Sequence, residues 1–353
     1  MGVAYTPRRA HYWGKETTSG TLVAATERLI LTEFDVEQVE ETVALPTIRQ
    51  YMLRGHGDEF VASRGIIFKG KGPLAYEQIH TWLHMAVEGN ITATGTGDNR
   101  TWLHTRGLTG IPTFNSLTFE RRLTDGTAHI DNEFGYGLLR SFTITIPDSG
   151  HVTLDVEGFA RRIQASTLTV ITGSDIQPTL EFAVQPRCAI YIDDSFGGIG
   201  GTLVSSKVLG ATLKFNTGLV PTWTCDNRTD LDWTLPTLDG FSTDAELEIT
   251  AMLDSAGSSG GDFVTEKTKA EASTMRYVSF FMQGKDIGTG TRNSLRFNMS
   301  MKHVPGSIVK VGTDNGRDIV TYSLRSSADG TNAWLTATVV NGRSAICDGT
   351  AAA

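Results

Sequence analysis

Cysteine is scarce in this chain: Cys188, Cys225 and Cys347 stand far apart and form no CxxC pair. An odd, unpatterned set excludes a disulfide framework and a structural zinc site, and fits a protein made in a reducing compartment. Proline is thin as well, 10 residues against 38 glycines. No apolar run reaches the length of about 18 residues that spans a bilayer, and the opening MGVAYTPRR lacks the apolar core of a secretory signal. The expectation is a chain made in the cytoplasm with no membrane partner. Positive charge is in deficit, with 31 Lys and Arg against 39 Asp and Glu, a net charge of -8 and a pI near 5.5. Such a surface repels phosphate, which argues against reading DNA and leaves open a role in which DNA passes without sticking.

What the chain does have is alternation. Between Pro112 and Arg162 three segments follow one another, PTFNSLTFERRL, YGLLRSFTITIP and GHVTLDVEGFARR, joined by glycine and aspartate turns. Phe142, Ile144, Ile146 and then Val152, Leu154, Val156 repeat with the period of a sheet that buries one face. Many short strands with frequent turns favour a mainly β protein over a helical bundle.

The remaining segments extend that reading. Residues 1–41 open with an arm whose first ten or so residues carry little periodic apolar signal and are expected to dock outside their own core. A strand follows over Leu22 to Phe34, and another over Phe60 to Phe68, ended by GKGP. Pro73 suits the first turn of a helix, where its missing N–H costs nothing. Leu74, Ile79, Leu83 and Val87 then carry helical spacing, with Tyr76, Trp82 and Met85 widening the stripe, until Gly89. Ile91 to Ile111 reads as an exposed loop or hairpin. Turn formers at Thr172 to Pro178 mark a boundary between modules 1–172 and 173–353. Beyond it, strands are expected at 180–184, 188–192, 202–207, 211–215, 245–253, 275–282, 293–301, 307–311, 318–324 and 333–339, with a short helix at 265–274. Both halves run strand, helix, strand, meander, an order that points to an internal duplication although their identity is too low for a repeat in sequence.

No catalytic, cofactor-binding or metal-binding residue is expected. His80 and His84 lie four apart on the helix, but Thr81 stands where a zinc protease has Glu, so they read as imidazoles at the edge of an amphipathic face. Asp193 and Asp194 precede the glycine-rich DDSFGGIGG, which lacks the ligand spacing of a calcium loop and reads as a solvated hairpin tip. The glycine runs at 70–72 and 197–201 match neither phosphate-binding fingerprint. There is no GxSxG elbow, and the chain is not expected to be an enzyme.

Four pieces in order, WGKETTSGTLVAATERL, FKGKGPLAYEQIHTWLHMAVEG, SLTFERRL through YGLLRSFTITIPDSGHVTLDVEGFARR, and GATLKFNTGL through STDAELEITAML, resemble the major tail protein, or tail tube protein, of long-tailed bacteriophages. The resemblance spans most of the chain and rests on the combination. It implies two β-sandwich modules, each with a flanking helix, whose copies join edge to edge into an inner β-barrel. Rings then stack into a tube that conducts the genome into the host. It implies self-association as rings of three with pseudo-sixfold symmetry, or of six. The other implied partners are tape measure, tail terminator and tip proteins, with viral DNA crossing the lumen without specific binding. The implied location is the virion tail, after assembly in the host cytoplasm.

Length and the rhyme between halves favour the ring of three. Polar positions of the meanders are the expected lumen lining. The arm at Thr6 to Thr18, and a loop at Gly89 to Ile111 or Ser255 to Thr265, are expected to order on stacking. Two alternatives stand: a ring protein of a contractile injection or secretion system, and a carbohydrate-binding or adhesin module presenting Trp102, Trp223 and Trp233.

Overall fold

The computed structural model describes residues 8–44, 59–89, 91–97, 99–107, 113–124, 129–161, 163–165, 180–204, 208–222, 230, 232–234, 244–252, 263–288, 290–306, 311–314 and 316–347. The first strands are β1 (Arg8–Lys15), β2 (Glu27–Leu29), β3 (Glu33–Ala44) and β4 (Glu59–Pro73), followed by helix α1 (Tyr76–Ala86). Next come β5 (Thr94–Thr96), β6 (Asn99–Arg106), β7 (Leu117–Thr124), β8 (His129–Ile146), β9 (Thr153–Ala160) and β10 (Gln164–Ala165). The second half begins with β11 (Cys188–Asp193), β12 (Val208–Asn216), β13 (Val220–Thr222), β14 (Asp232–Thr234), β15 (Asp244–Met252) and helix α2 (Phe263–Glu271). It continues with β16 (Arg276–Gly288), β17 (Thr291–His303), β18 (Val311–Asp314), β19 (Arg317–Ser326) and β20 (Leu335–Asn341). The protein is mainly β, and all strands except the β13–β14 pair belong to one connected ladder of 18.

That ladder folds into two layers. The inner layer runs β3-β4-β9-β8-β12-β15-β19-β18, every neighbour antiparallel. Over its first half lies β2-β1-β7-β8, where β8 takes part through its N-terminal end. Over its second half lies β11-β16-β17-β20-β6-β5. β8 serves both layers, changing sheets near Tyr136, whose φ of 59 is unusual for a residue with a side chain. β17 does the same at its end, leaving β20 for β19 over Met301–His303.

Between the layers the alternating apolar residues meet. Phe119 of β7 stacks on Phe34 of β3 at 5.7 Å and on Phe134 of β8 at 5.3 Å, while Trp13 of β1 meets Trp82 of α1 at 4.9 Å. In the second half Phe142 of β8 stacks on Phe215 of β12 at 5.1 Å, with Phe297 and Trp334 closing the group. Each such side chain removed from water contributes on the order of 1.5–3 kcal/mol, so these two aromatic groups weld the layers together.

Helix α1 packs against β8, β20, β17 and β6, and all eleven of its residues are buried. It has no side-chain N-cap. Its first turn is held instead by strand-like contacts, with Ala75 bridging Phe182, so tertiary packing rather than capping maintains the helix. α2 is weakly amphipathic and is anchored by charge: buried Glu266 takes both Arg276 of β16 and His303 of β17, the latter at 2.7 Å.

Several expectations change. Pro73 ends β4 instead of opening the helix, because Gly70 and Gly72 continue the strand and leave room for Leu31 and Phe34 against it. Leu22 to Phe34 is not one strand; it divides into β2 and the start of β3. From Arg8 onward the N-terminal arm joins the protein's own core, with Trp13 fully buried and Arg8–Lys15 paired to β7, while residues 1–7 lie outside the described residues. Buried Glu16 fixes the end of that strand by accepting from the Gly20 and Tyr136 N–H groups and the Thr118 and Ser116 hydroxyls. Of the two readings of 91–111, the hairpin is found: β5 pairs with β6, and β6 is seated along β20 instead of being an open loop, while residues 90, 98 and 108–111 lie outside the described residues. The boundary at 172–178 and the loop at 255–262 lie outside the described residues.

Gly158 of β9 shows how tight the wall is. A Cβ there would collide with the Phe68 ring and the Leu138 carbonyl, whereas one on Gly197 would meet nothing within 4 Å. Gly158→Ala is expected to lower unfolding free energy by about 1–3 kcal/mol and Gly197→Ala to leave it nearly unchanged. Urea denaturation of both variants checks this, and equal midpoints would contradict it.

Candidate functional site

The inner layer has two unlike faces. On the core side Phe142, Ile144 and Ile146 of β8 oppose Phe215, Leu213 and Ala211 of β12. The other side is polar and open. Glu33, Lys71, Asp155, Thr143, Lys214, Glu246 and Arg325 are successive cross-strand partners from β3 to β19. One step along the strands runs a second row, Asp35, Lys69, Glu157, Ser141, Asn216 and Asp244.

Charges of opposite sign sit opposite each other in both rows, the arrangement that stabilises a sheet face. Lys71 reaches Asp155 at 3.7 Å, Arg140 reaches Glu157 at 3.4 Å and Arg325 reaches Asp244 at 2.9 Å. Glu37 and Glu248 add acids without matching bases, so carboxylates exceed cations on this face. A shallow depression of about 330 Å³ lies among Glu33, Asp35, Lys69, Lys71, Asp155, Glu157 and Lys214. Exposed pairs of this kind add little to stability; their effect is to make a hydrated, acid-rich wall.

Near one end of the strands this face becomes apolar. Phe114, Tyr136, Leu138, Phe159 and Leu219 form a separate cluster there, beside the β13–β14 hairpin. Tyr136 donates its hydroxyl proton to Asp232 of that hairpin at 2.8 Å, and Arg161 lies over the Tyr136 ring at 4.1 Å. Arg64 of β4 pairs with Asp230 at 3.3 Å.

The inner layer is also unfinished. Among the described residues β3 pairs only with β4, and β18 only with β19. The described parts of these borders are Glu33–Ala44 and Val311–Asp314. An unpaired strand exposes a row of backbone donors and acceptors that another strand can complete.

The strand order repeats between the halves. By position in the chain, β3-β4-β9-β8 reads first, second, fourth, third, and so does β12-β15-β19-β18. Each helix leaves after the second strand of its four, α1 after β4 and α2 after β15. The join between the fours is β8 to β12, the third strand of one unit against the first of the next.

The residues weighed from sequence for chemistry have structural settings. His80 stacks on Trp102 at 4.6 Å and lies within 3.3 Å of the Ala345 carbonyl, while His84 accepts from Asn115 at 2.8 Å. Both are fully buried, not at the edge of a face. Trp102 is buried too and donates to Asn341 at 3.1 Å, which corrects its reading as an exposed glycan platform. Trp223 lies outside the described residues and Trp233 falls in β14.

Asp193 is buried and accepts the Gly200 and Thr202 N–H groups at 2.8 Å, closing the base of a hairpin tip whose Asp194, Ser195, Gly197, Gly198 and Gly201 are exposed, as expected of a solvated tip. Asp194 joins Lys269 at 2.9 Å and Arg276. Burial pushes the Cys188 thiol up to about 12 and the Cys347 thiol well above its usual range, which suits inert core groups. Among the described residues no three His, Cys, Asp or Glu side chains group as metal ligands, and no helix is long and apolar enough to cross a membrane. The sequence matches no known family model and no curated protein.

The polar residues around α1 make folding pH-sensitive in two directions. Burial raises Glu77 from its ordinary 4.5 to about 7, although it accepts from the Glu181 N–H at 2.9 Å and from Asn293 at 3.0 Å. A raised carboxyl gives stability that is complete below about 4.5 and is lost as pH climbs through 7. Burial lowers His84 to about 2 and His104 to about 4, so their contribution is complete above the ordinary 6.5 and is lost progressively as pH falls below it toward those lowered values. Glu77→Gln, which mimics the neutral carboxyl, is therefore expected to gain on the wild type by roughly 2–3 kcal/mol between pH 5 and pH 8. Denaturant midpoints across that range test it; two parallel curves would show that Glu77 is not the group.

Proposed function

We propose that the chain is a structural subunit, not an enzyme, which joins edge to edge with copies of itself into a ring whose stacks form the tail tube of a long-tailed bacteriophage. The observation that carries this reading is the repeated strand order with one border left open at each end of the inner layer. A surface that already makes the third-to-first join once within the chain can make it again between chains. Such a head-to-tail contact generates a ring if it closes. Two β-sandwich units per chain then make a ring of three pseudo-sixfold.

Dimensions agree. Eight strands closing on themselves would give a barrel filled by its own side chains, which is incompatible with charged rows facing inward. Three copies bring 24 strands, and with spacing of about 4.8 Å and tilt near 40° the wall is roughly 45–50 Å across between backbones. About 35–40 Å stays clear once side chains of about 5 Å line it on each side, enough for a double helix with its hydration. An acid-rich lining repels phosphates and keeps DNA from adhering. In this reading the protein resides in the virion, and tape measure, terminator and tip proteins meet the tube inside and at its ends.

The β3–β4 ribbon extends past the end of β9, since β4 pairs with β9 only from Ile66 onward. A two-stranded ribbon is marginal by itself, and this one exposes Val39 at 38%. It is the described segment best suited to meet an adjacent ring, in place of the N-terminal arm.

Electron microscopy and light scattering of the purified chain over rising concentration test the proposal. Rings or tubes with a central hole are expected. Of Asp35→Pro and Val36→Pro, the one that removes an edge-facing N–H is expected to keep the fold and abolish rings. A chain that stays monomeric at millimolar concentration would refute the assembly.

A further inference from the structure

The internal join fixes more than the existence of a contact between copies. We infer that β18 of one copy pairs antiparallel with β3 of the next, in the register set by β8 on β12, placing Val311 opposite Val36 and Gly312 opposite Asp35. This rests on the ring reading and goes beyond it, because ring closure alone leaves the seam's residues undefined.

The register follows from laying one half on the other. The second strands, β4 and β15, are described to Pro73 and Met252, and each precedes the helix of its half in the chain; these two residues set the match. With those two residues matched, their neighbours Thr153 and Ile319 coincide, since Pro73 pairs with Thr153 and Met252 with Ile319. The next residues, Leu154 and Val320, then match as well. Their partners follow: Leu154 faces Ile144 and Val320 faces Val311, so Val311 takes the place of Ile144. On the other side Phe68 pairs with Val36 and Leu247 with Leu213, which lets Val36 take the place of Leu213. Within the chain Ile144 pairs with Leu213. Between chains the equivalent pair is Val311 and Val36.

Two observations support the same register. A slip by one residue would turn every side chain of the incoming strand to the opposite face. The inferred alignment keeps Val36 on the core side, where it already packs in part against the main hydrophobic cluster. It also sets Asp35, on the polar side, against Gly312, which has no side chain to oppose a carboxylate. The seam thus repeats the rule obeyed at β8 and β12, where Ile144 meets Leu213 and Thr145 meets Thr212.

Disulfide trapping in the assembled full-length chain tests the register. Two double variants, Val36→Cys with Val311→Cys and Asp35→Cys with Gly312→Cys, cover both geometries that alternate along an antiparallel ladder. The single-cysteine variants and the wild type serve as controls. Oxidised rings of at least one double variant are expected to give mostly covalent species ending at three chains on a non-reducing denaturing gel, with the controls at least tenfold lower. A further pair, Gln38→Cys with Val311→Cys, probes a slip of two residues. Rings visible by microscopy with trapping only at Gln38, or with none, would overturn the register while leaving the ring intact. Monomers throughout would remove the ring and this seam with it.

Discussion

The β8–β12 ladder is the constraint on which the rest of this structure depends. Six consecutive pairs from Ala211↔Ile146 to Asn216↔Ser141 join strands from the two halves of the chain, and they set the core residues of both halves on one side and the polar residues on the other. Once that register is fixed, a single wall exists with a dry face and a wet face. The two outer sheets, the aromatic groups around Phe119 and Phe142, and a helix with no solvent-facing side are built on the dry face. A shift of β12 by one residue against β8 would put Phe215 in water and Lys214 in the core.

Burying a helix on every side has a cost that the chain meets with hydrogen bonds. Glu77, Gln78, His80 and His84 of α1 each find partners on other elements, among them Asn293, Glu27, Asn341 and Asn115. Directional hydrogen bonds between buried groups specify one arrangement more sharply than apolar packing does. Here they tie β2, β17 and β20 to a common axis, so segments far apart in sequence share a single geometry.

Much of this was legible in the residues. The meander of β7, β8 and β9, the strands β12, β15, β17 and β19, and both helices follow from period-two and helical patterning. Alternation tells which face a residue takes but not which strand lies beside it. For that reason the β8–β12 and β6–β20 pairings, and the repeated strand order they reveal, had no signature. Pro73 misled because the glycines before it look like a stop, while in space they are gaps that Leu31 and Phe34 fill. Trp102 misled because its turn-rich surroundings resemble a surface loop until β20 covers it. The acid-rich wall could be anticipated from net charge, but its rows could not, since they need the register of seven strands.

Carrying two four-strand units on one polypeptide has a kinetic consequence. In the ring proposed above, every second join would be intramolecular, made as the chain folds and at the high effective concentration of a tether. Only the alternate joins must be found by diffusion, which halves the encounters needed and thins out partly built arcs. It would also release the two units from identity: β3 and β4 run on as a ribbon beyond β9, while the β13–β14 hairpin that follows β12 meets Tyr136 through Asp232, a division of labour closed to a ring of identical single units.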